Sequence, residues 1–107
     1  MVSINIDRAD SITIIGFEGH ANYSEPHDIV CAAVSAIFYT LYGSLISLAP
    51  SANAEIKRLS KDYVSISFIS SPEGADKVVI QTIFDTAIIG LLLIEKTYPD
   101  NVCLYER

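Results

Sequence analysis

The segment that most constrains this chain runs from Asp28 to Pro50. Apolar residues at Val30, Val34, Ile37, Leu41, Leu45 and Leu48 recur at helical spacing, and Phe38, Tyr42 and Ile46 mark a second apolar face. A helix that is apolar on two sides is central to its fold. Asp28 suits its N-cap, because a carboxylate there accepts from backbone N–H groups two or three residues on, and Pro50 is a natural stop. Cys31 then occupies the third helical position, where the positive end of the helix dipole favours a thiolate over a thiol. Helical side chains lean toward the N-terminus, so the sulfur points back at the segment Gly19-His20-Ala21-Asn22-Tyr23-Ser24-Glu25-Pro26-His27. A base and a nucleophile therefore face each other across one short loop.

The remaining segments are arranged around this helix. Val2, Ile4 and Ile6 alternate with Ser3, Asn5 and Asp7, and Ile12 to Phe17 is β-branched enough to be the returning strand of a hairpin that delivers Gly19-His20 at its end. Ala54 to Leu59 and Tyr63 to Ile69 flank the turn Ser60-Lys61-Asp62 and form a second hairpin. Ser70 to Glu73 resembles a capping box with Pro72 in the first turn of a second helix, whose apolar positions run from Val79 to Leu92 and which Pro99 ends. Asn101 to Tyr105 reads as a final short strand. The expected fold is α+β, a single domain over 1–107 in the order ββα ββα β, with two helices packed on one face of a largely antiparallel sheet.

Composition narrows the function. With 107 residues, half of them hydrophobic, the chain has enough apolar surface to cover a core and to bury more against a partner chain. Its net charge of −6, without a basic run, argues against nucleic-acid binding through phosphate contacts. The longest apolar run, Ala87 to Ile94, falls short of the ~20 residues of a spanning helix and reads as buried, so no membrane is expected. Cys31 and Cys103 make no disulfide framework and the N-terminus has no signal-like pattern, so the expected compartment is the reducing cytoplasm. Two histidines and one nearby cysteine offer no zinc-site spacing; neither metal nor cofactor is expected.

A cysteine at a helix start near a histidine is compatible with catalysis or with a small buried hydrophobe. Two details favour catalysis: the apolar face runs through Val30 and Val34 rather than Cys31, and Ser35 shares the cysteine's face one turn on. Gly-His-Ala, an intervening loop, then Asp-Ile-Val-Cys-Ala-Ala-Val-Ser resembles the signature of the ribosomal-processing cysteine protease (Prp) family of bacteria, and the order of elements fits that family along the chain. The resemblance implies a small α+β homodimer that removes the N-terminal extension of a large-subunit ribosomal protein, with Cys31 as nucleophile, His20 as base, and Asp28 and Ser35 as supports of the site. It also implies an apolar groove beside a substrate loop that includes Gly19, Ala21, Asn22, Tyr23, Pro26 and His27. Asp28 is equally explained as a plain N-cap, and Ser35 as a hydroxyl bonded to the carbonyl of Cys31.

The chain departs from the family pattern at one place. Pro26 stands two residues before Asp28, where the family usually has glycine, and the separation of His20 from Cys31 is one residue shorter than is typical. Proline fixes φ where glycine would let the loop swing. Two other readings use the same residues: a non-catalytic, dimeric, ribosome-associated binding module, and a thiol redox or acyl-transfer protein with Cys103 as resolving partner.

Overall fold

The computed structural model describes residues 1–21, 28–72 and 76–106. Its elements are β1 (Val2–Ala9), β2 (Ile12–Gly19), α1 (Ile29–Leu48), a 3-10 turn (Pro50–Ala52), β3 (Glu55–Ser60), β4 (Tyr63–Ile69), α2 (Asp76–Thr97) and β5 (Val102–Glu106). The five strands form one sheet in the order β3-β4-β2-β1-β5, antiparallel except where β5 runs parallel to β1. The α+β architecture with two helices on a largely antiparallel sheet is therefore as read from the sequence.

Alternation along each strand sorts the two faces. Val2, Ile4 and Ile6 of β1, Thr13 and Ile15 of β2, and Ile66 and Phe68 of β4 are buried on the side of the helices. Ile12 and Ile14 point the other way and are exposed. From α1, Val30, Val34, Phe38, Leu41 and Leu45 meet this layer, and α2 contributes Ile80, Phe84 and Leu91. Phe17 sets its ring edge-on to Phe38 at 4.3 Å, and Phe68 meets Phe84 at 5.3 Å. Each fully buried side chain of this kind contributes roughly 1.5–3 kcal/mol relative to exposure.

The faces of α1 divide differently from the reading above. Phe38 belongs to the buried stripe with Val34 and Leu41, whereas Ile46 and Leu48 are exposed. The stripe continues from Leu45 to Ala49 at the C-cap, so Leu48 falls on the outer side of the last turn. In the run Ala87 to Ile94, Leu91 alone is fully buried, and Ile89, Leu92 and Leu93 are open to solvent. By length and composition alone, both α1 and α2 are apolar enough to cross a membrane, which the eight-residue run did not suggest. In this fold each lays a buried stripe on the core. Pro72 precedes the described start of α2 at Asp76 rather than lying in its first turn; Glu73, the other half of the expected capping box, lies outside the described residues.

Candidate active site

The site forms at the end of the sheet where β2 runs out and α1 begins. Asp28 is the N-cap: its backbone is extended (φ −86°, ψ 102°), and its Oδ1 accepts from the N–H groups of Val30 and Cys31, both at 3.0 Å. Such a cap stabilises a helix by about 1 kcal/mol. It also fixes where Cys31 sits, half-buried at the third position of the helix. The sulfur is directed back at the strand end as the lean of helical side chains requires, and the N–H of Ala21 donates to Sγ at 3.1 Å.

His20 is delivered by Gly19, the last residue of β2. Gly19 has φ +91°, and a Cβ there would lie 2.6 Å from the carbonyl oxygen of Met1, so both backbone conformation and space demand glycine. Its N–H donates to the carbonyl of Asp62, in the turn between β3 and β4, at 3.0 Å. The His20 ring is largely exposed, and its Nε2 lies 2.9 Å from Oδ1 of the same Asp62. On the other side, Asn101 donates from Nδ2 to the carbonyl of the buried Ala21 at 2.8 Å, while its own carbonyl accepts from the N–H of Val2 at 2.8 Å. The end of β2 and the two residues after it are thus tied from two distant parts of the chain.

These residues open onto one cleft. Val2, Phe17, Val34, Phe38, Tyr39 and Val64 give it apolar walls, and His20, Cys31 and Ser35 line it together with Arg58, Lys61 and Asp62. His20 and Cys31, which are apart in sequence, are therefore brought to the same depression. Ser35 is exposed there, and among the described residues its hydroxyl makes no bond to the Cys31 carbonyl, although Thr40, Thr86 and Thr97 each bond the carbonyl four residues back. Of the expected loop residues, Gly19 at the end of β2 lines the cleft and Ala21 is buried behind it, whereas Asn22, Tyr23, Pro26 and His27 lie outside the described residues.

Cys103 is placed on β5 opposite Ser3 of β1. Its neighbours Val102 and Leu104 pack toward the helices, so alternation puts its thiol on the other face of the sheet from Cys31. The hydroxyl of Tyr105 is held above the usual phenol range, mainly through a side-chain hydrogen bond to Cys103 and its charge, with smaller contributions from desolvation and Glu95. A resolving role for Cys103 toward Cys31 does not fit this arrangement. Among the described residues, no group of three His, Cys, Asp or Glu side chains could hold a metal ion.

Sequence reasoning missed Asp62 and Asn101. Asp62 reads as an ordinary turn residue, and the register that sets Glu18 opposite Tyr63 is what carries it to His20. Asn101 reads as the start of a strand.

Comparison with known proteins bears on the family and the fold. The sequence profile of the family described as Cysteine protease Prp matches residues 1–103. The ribosomal processing cysteine protease Prp of Bacillus subtilis (strain 168) is 30% identical over 107 residues, covering 95% of this chain and 94% of that protein. The protein of the same name from Staphylococcus aureus (strain Mu50) is 28% identical over 104 residues, covering 96% and 94%. A crystal structure of an essential ribosomal processing protease Prp from S. aureus, with a covalently linked product peptide, superimposes with a TM-score of 0.84 at 28% identity and full coverage of both chains. A second, with a substrate peptide, gives 0.80 at 26%, again with full coverage. On the match of nearly its whole length, this chain belongs to the Prp family of cysteine proteases.

Proposed function

We propose that the chain, acting as one domain over residues 1–107, is an endopeptidase that removes the N-terminal extension of a large-subunit ribosomal protein in the cytoplasm, with Cys31 as nucleophile and His20 as base. The observation that carries this reading is the placement of the Cys31 sulfur at the start of α1, facing the backbone that follows His20, in a cleft with apolar and aromatic walls. Solved relatives hold a substrate peptide and a covalently linked product peptide.

The chemistry follows from the groups present. His20 takes the proton of the Cys31 thiol, and the thiolate attacks the scissile carbonyl to form a tetrahedral oxyanion. The N–H groups of Val30 and Cys31 are engaged by Asp28 and so are not free to hold that oxyanion. The Ala21 N–H donates to the sulfur itself at 3.1 Å, where it stabilises the thiolate that attacks. Collapse breaks the C–N bond, the protonated His20 gives its proton to the leaving amine, and water then hydrolyses the thioester. Asp28 holds the helix start that presents Cys31; Ser35 is available to a bound peptide. The apolar walls suit a substrate whose residues before the scissile bond are apolar or aromatic. Incubation with the ribosomal protein precursor of the same organism should yield two fragments by mass spectrometry, joined at a single junction. An uncleaved precursor would count against the proposal.

The same reading includes a symmetric homodimer. Ile37, Leu41, Ile83 and Ala87 line an apolar trough between α1 and α2, where Gly90 lets the helices approach closely, and α2 leaves Ile89, Leu92 and Leu93 exposed. A second copy of this chain would cover the surface that its own sheet cannot reach. Light scattering is expected to give twice the chain mass of 11.7 kDa. A single-chain mass at every concentration from micromolar upward would rule the dimer out.

A further inference from the structure

We propose that Asp62 is a positioning residue for catalysis, holding the His20 ring in the tautomer and orientation that leave Nδ1 to take the proton of Cys31; this rests on reading His20 as the base. Asp62 lies 42 positions from His20, in the turn between β3 and β4, and reaches it in two ways. Its backbone carbonyl accepts from Gly19, the residue before His20, at 3.0 Å. Its Oδ1 lies 2.9 Å from Nε2 of the ring.

An ionised carboxylate can only accept, so Nε2 carries the hydrogen of that bond. In a neutral imidazole the other nitrogen then holds the lone pair, and the bond made by one nitrogen sets the role of the other. The proton of Cys31 therefore passes to Nδ1 and returns from Nδ1 to the leaving amine, while Nε2–H stays on Asp62 throughout. During the step the ring carries a positive charge, and the carboxylate beside it stabilises that charge. The other charged groups on this wall are Arg58 and Lys61, and Arg58 is turned to the carbonyl of Lys61 at 3.2 Å. The carboxylate on the ring is accordingly that of Asp62.

The pair is exposed, with side chains at 66% and 47% of full accessibility, and exposed ion pairs add little to stability. The backbone bond from Gly19 to the Asp62 carbonyl survives any substitution at position 62. Loss of the carboxylate should therefore show in turnover and not in folding.

The test measures kcat, KM and melting temperature for Asp62→Asn, Asp62→Ala, Asp62→Glu and His20→Ala on a peptide spanning the precursor junction. Asp62→Asn and Asp62→Ala are expected to lower kcat by about 10- to 100-fold, within what a general base contributes. KM and melting temperature should stay near wild type, and Asp62→Glu should recover much of the rate. Unchanged turnover in Asp62→Asn and Asp62→Ala, beside an inactive His20→Ala, would overturn the role of Asp62 and leave the dyad standing. Parallel losses in kcat, KM and melting temperature would also overturn it, as a structural effect. Normal turnover in His20→Ala would instead remove the dyad on which the proposal rests.

Discussion

Cys31→Ser is expected to abolish cleavage of the precursor, and His20→Ala to lower kcat/KM by about 10²- to 10⁴-fold, the usual contribution of a general base. A serine hydroxyl in the same place retains the shape of the thiol but not its acidity, and a start-of-helix position cannot make up that difference. The histidines separate the proposal from its nearest alternative. His20 follows a glycine that the Met1 carbonyl and a positive φ leave no freedom to replace, and it is held by a strand end. His27 lies in the stretch between β2 and α1 that is outside the described residues. His27→Ala is therefore expected to keep most of the turnover. The reverse pattern, His27→Ala inactive and His20→Ala active, would mean that the shortened loop carries a different base. Retained activity in Cys103→Ser would complete the separation from a two-thiol redox mechanism. The readout for all four variants is product mass against time at fixed enzyme concentration.

The second large effect concerns stability, and two adjacent residues of α1 test it. Leu45 is 0% exposed and Ile46 is 47% exposed, although the sequence pattern places both on apolar faces of the helix. Leu45→Ala removes side-chain volume from the buried stripe of α1, where neighbours relax incompletely, and is expected to cost about 2–5 kcal/mol. For a domain of this size that corresponds to a fall in melting temperature of roughly 10–25 °C. Ile46→Ala should change the stability of the single chain by less than about 0.5 kcal/mol. Urea denaturation at several protein concentrations distinguishes the effects, because a loss at Ile46 that shrinks on dilution reports on chain association rather than on the core. Equal losses for the two variants at every concentration would contradict the division of faces described above.

The parts of the fold that depend on local chemistry were legible before any coordinates. Asp28 followed by an apolar-periodic run specified both the helix start and the position of the sulfur, because capping and side-chain lean act over three or four residues. Both hairpins were equally plain from alternation and turn residues. The parallel pairing of β5 with β1 was not, since nothing within five residues of Val102 records which strand it will join. The same limit hid Asp62 and Asn101: each reaches the site through pairing between segments far apart in the chain. Periodicity identified the apolar positions of α1 but not which of them are covered. Phe38 and Leu41, three positions apart, share the buried stripe, while Ile46 falls outside it.

The bond from Asn101 to the Ala21 carbonyl spans 80 positions. During synthesis His20 and Cys31 leave the ribosome early, followed by the rest of α1, and later by the turn that carries Asp62. The tether on Ala21 arrives later still, just before β5, the edge strand beside β1. A nascent chain therefore carries Cys31 and His20 long before it carries the side chain that holds Ala21 in place, and the cleft is assembled only once Asn101 and β5 have been made.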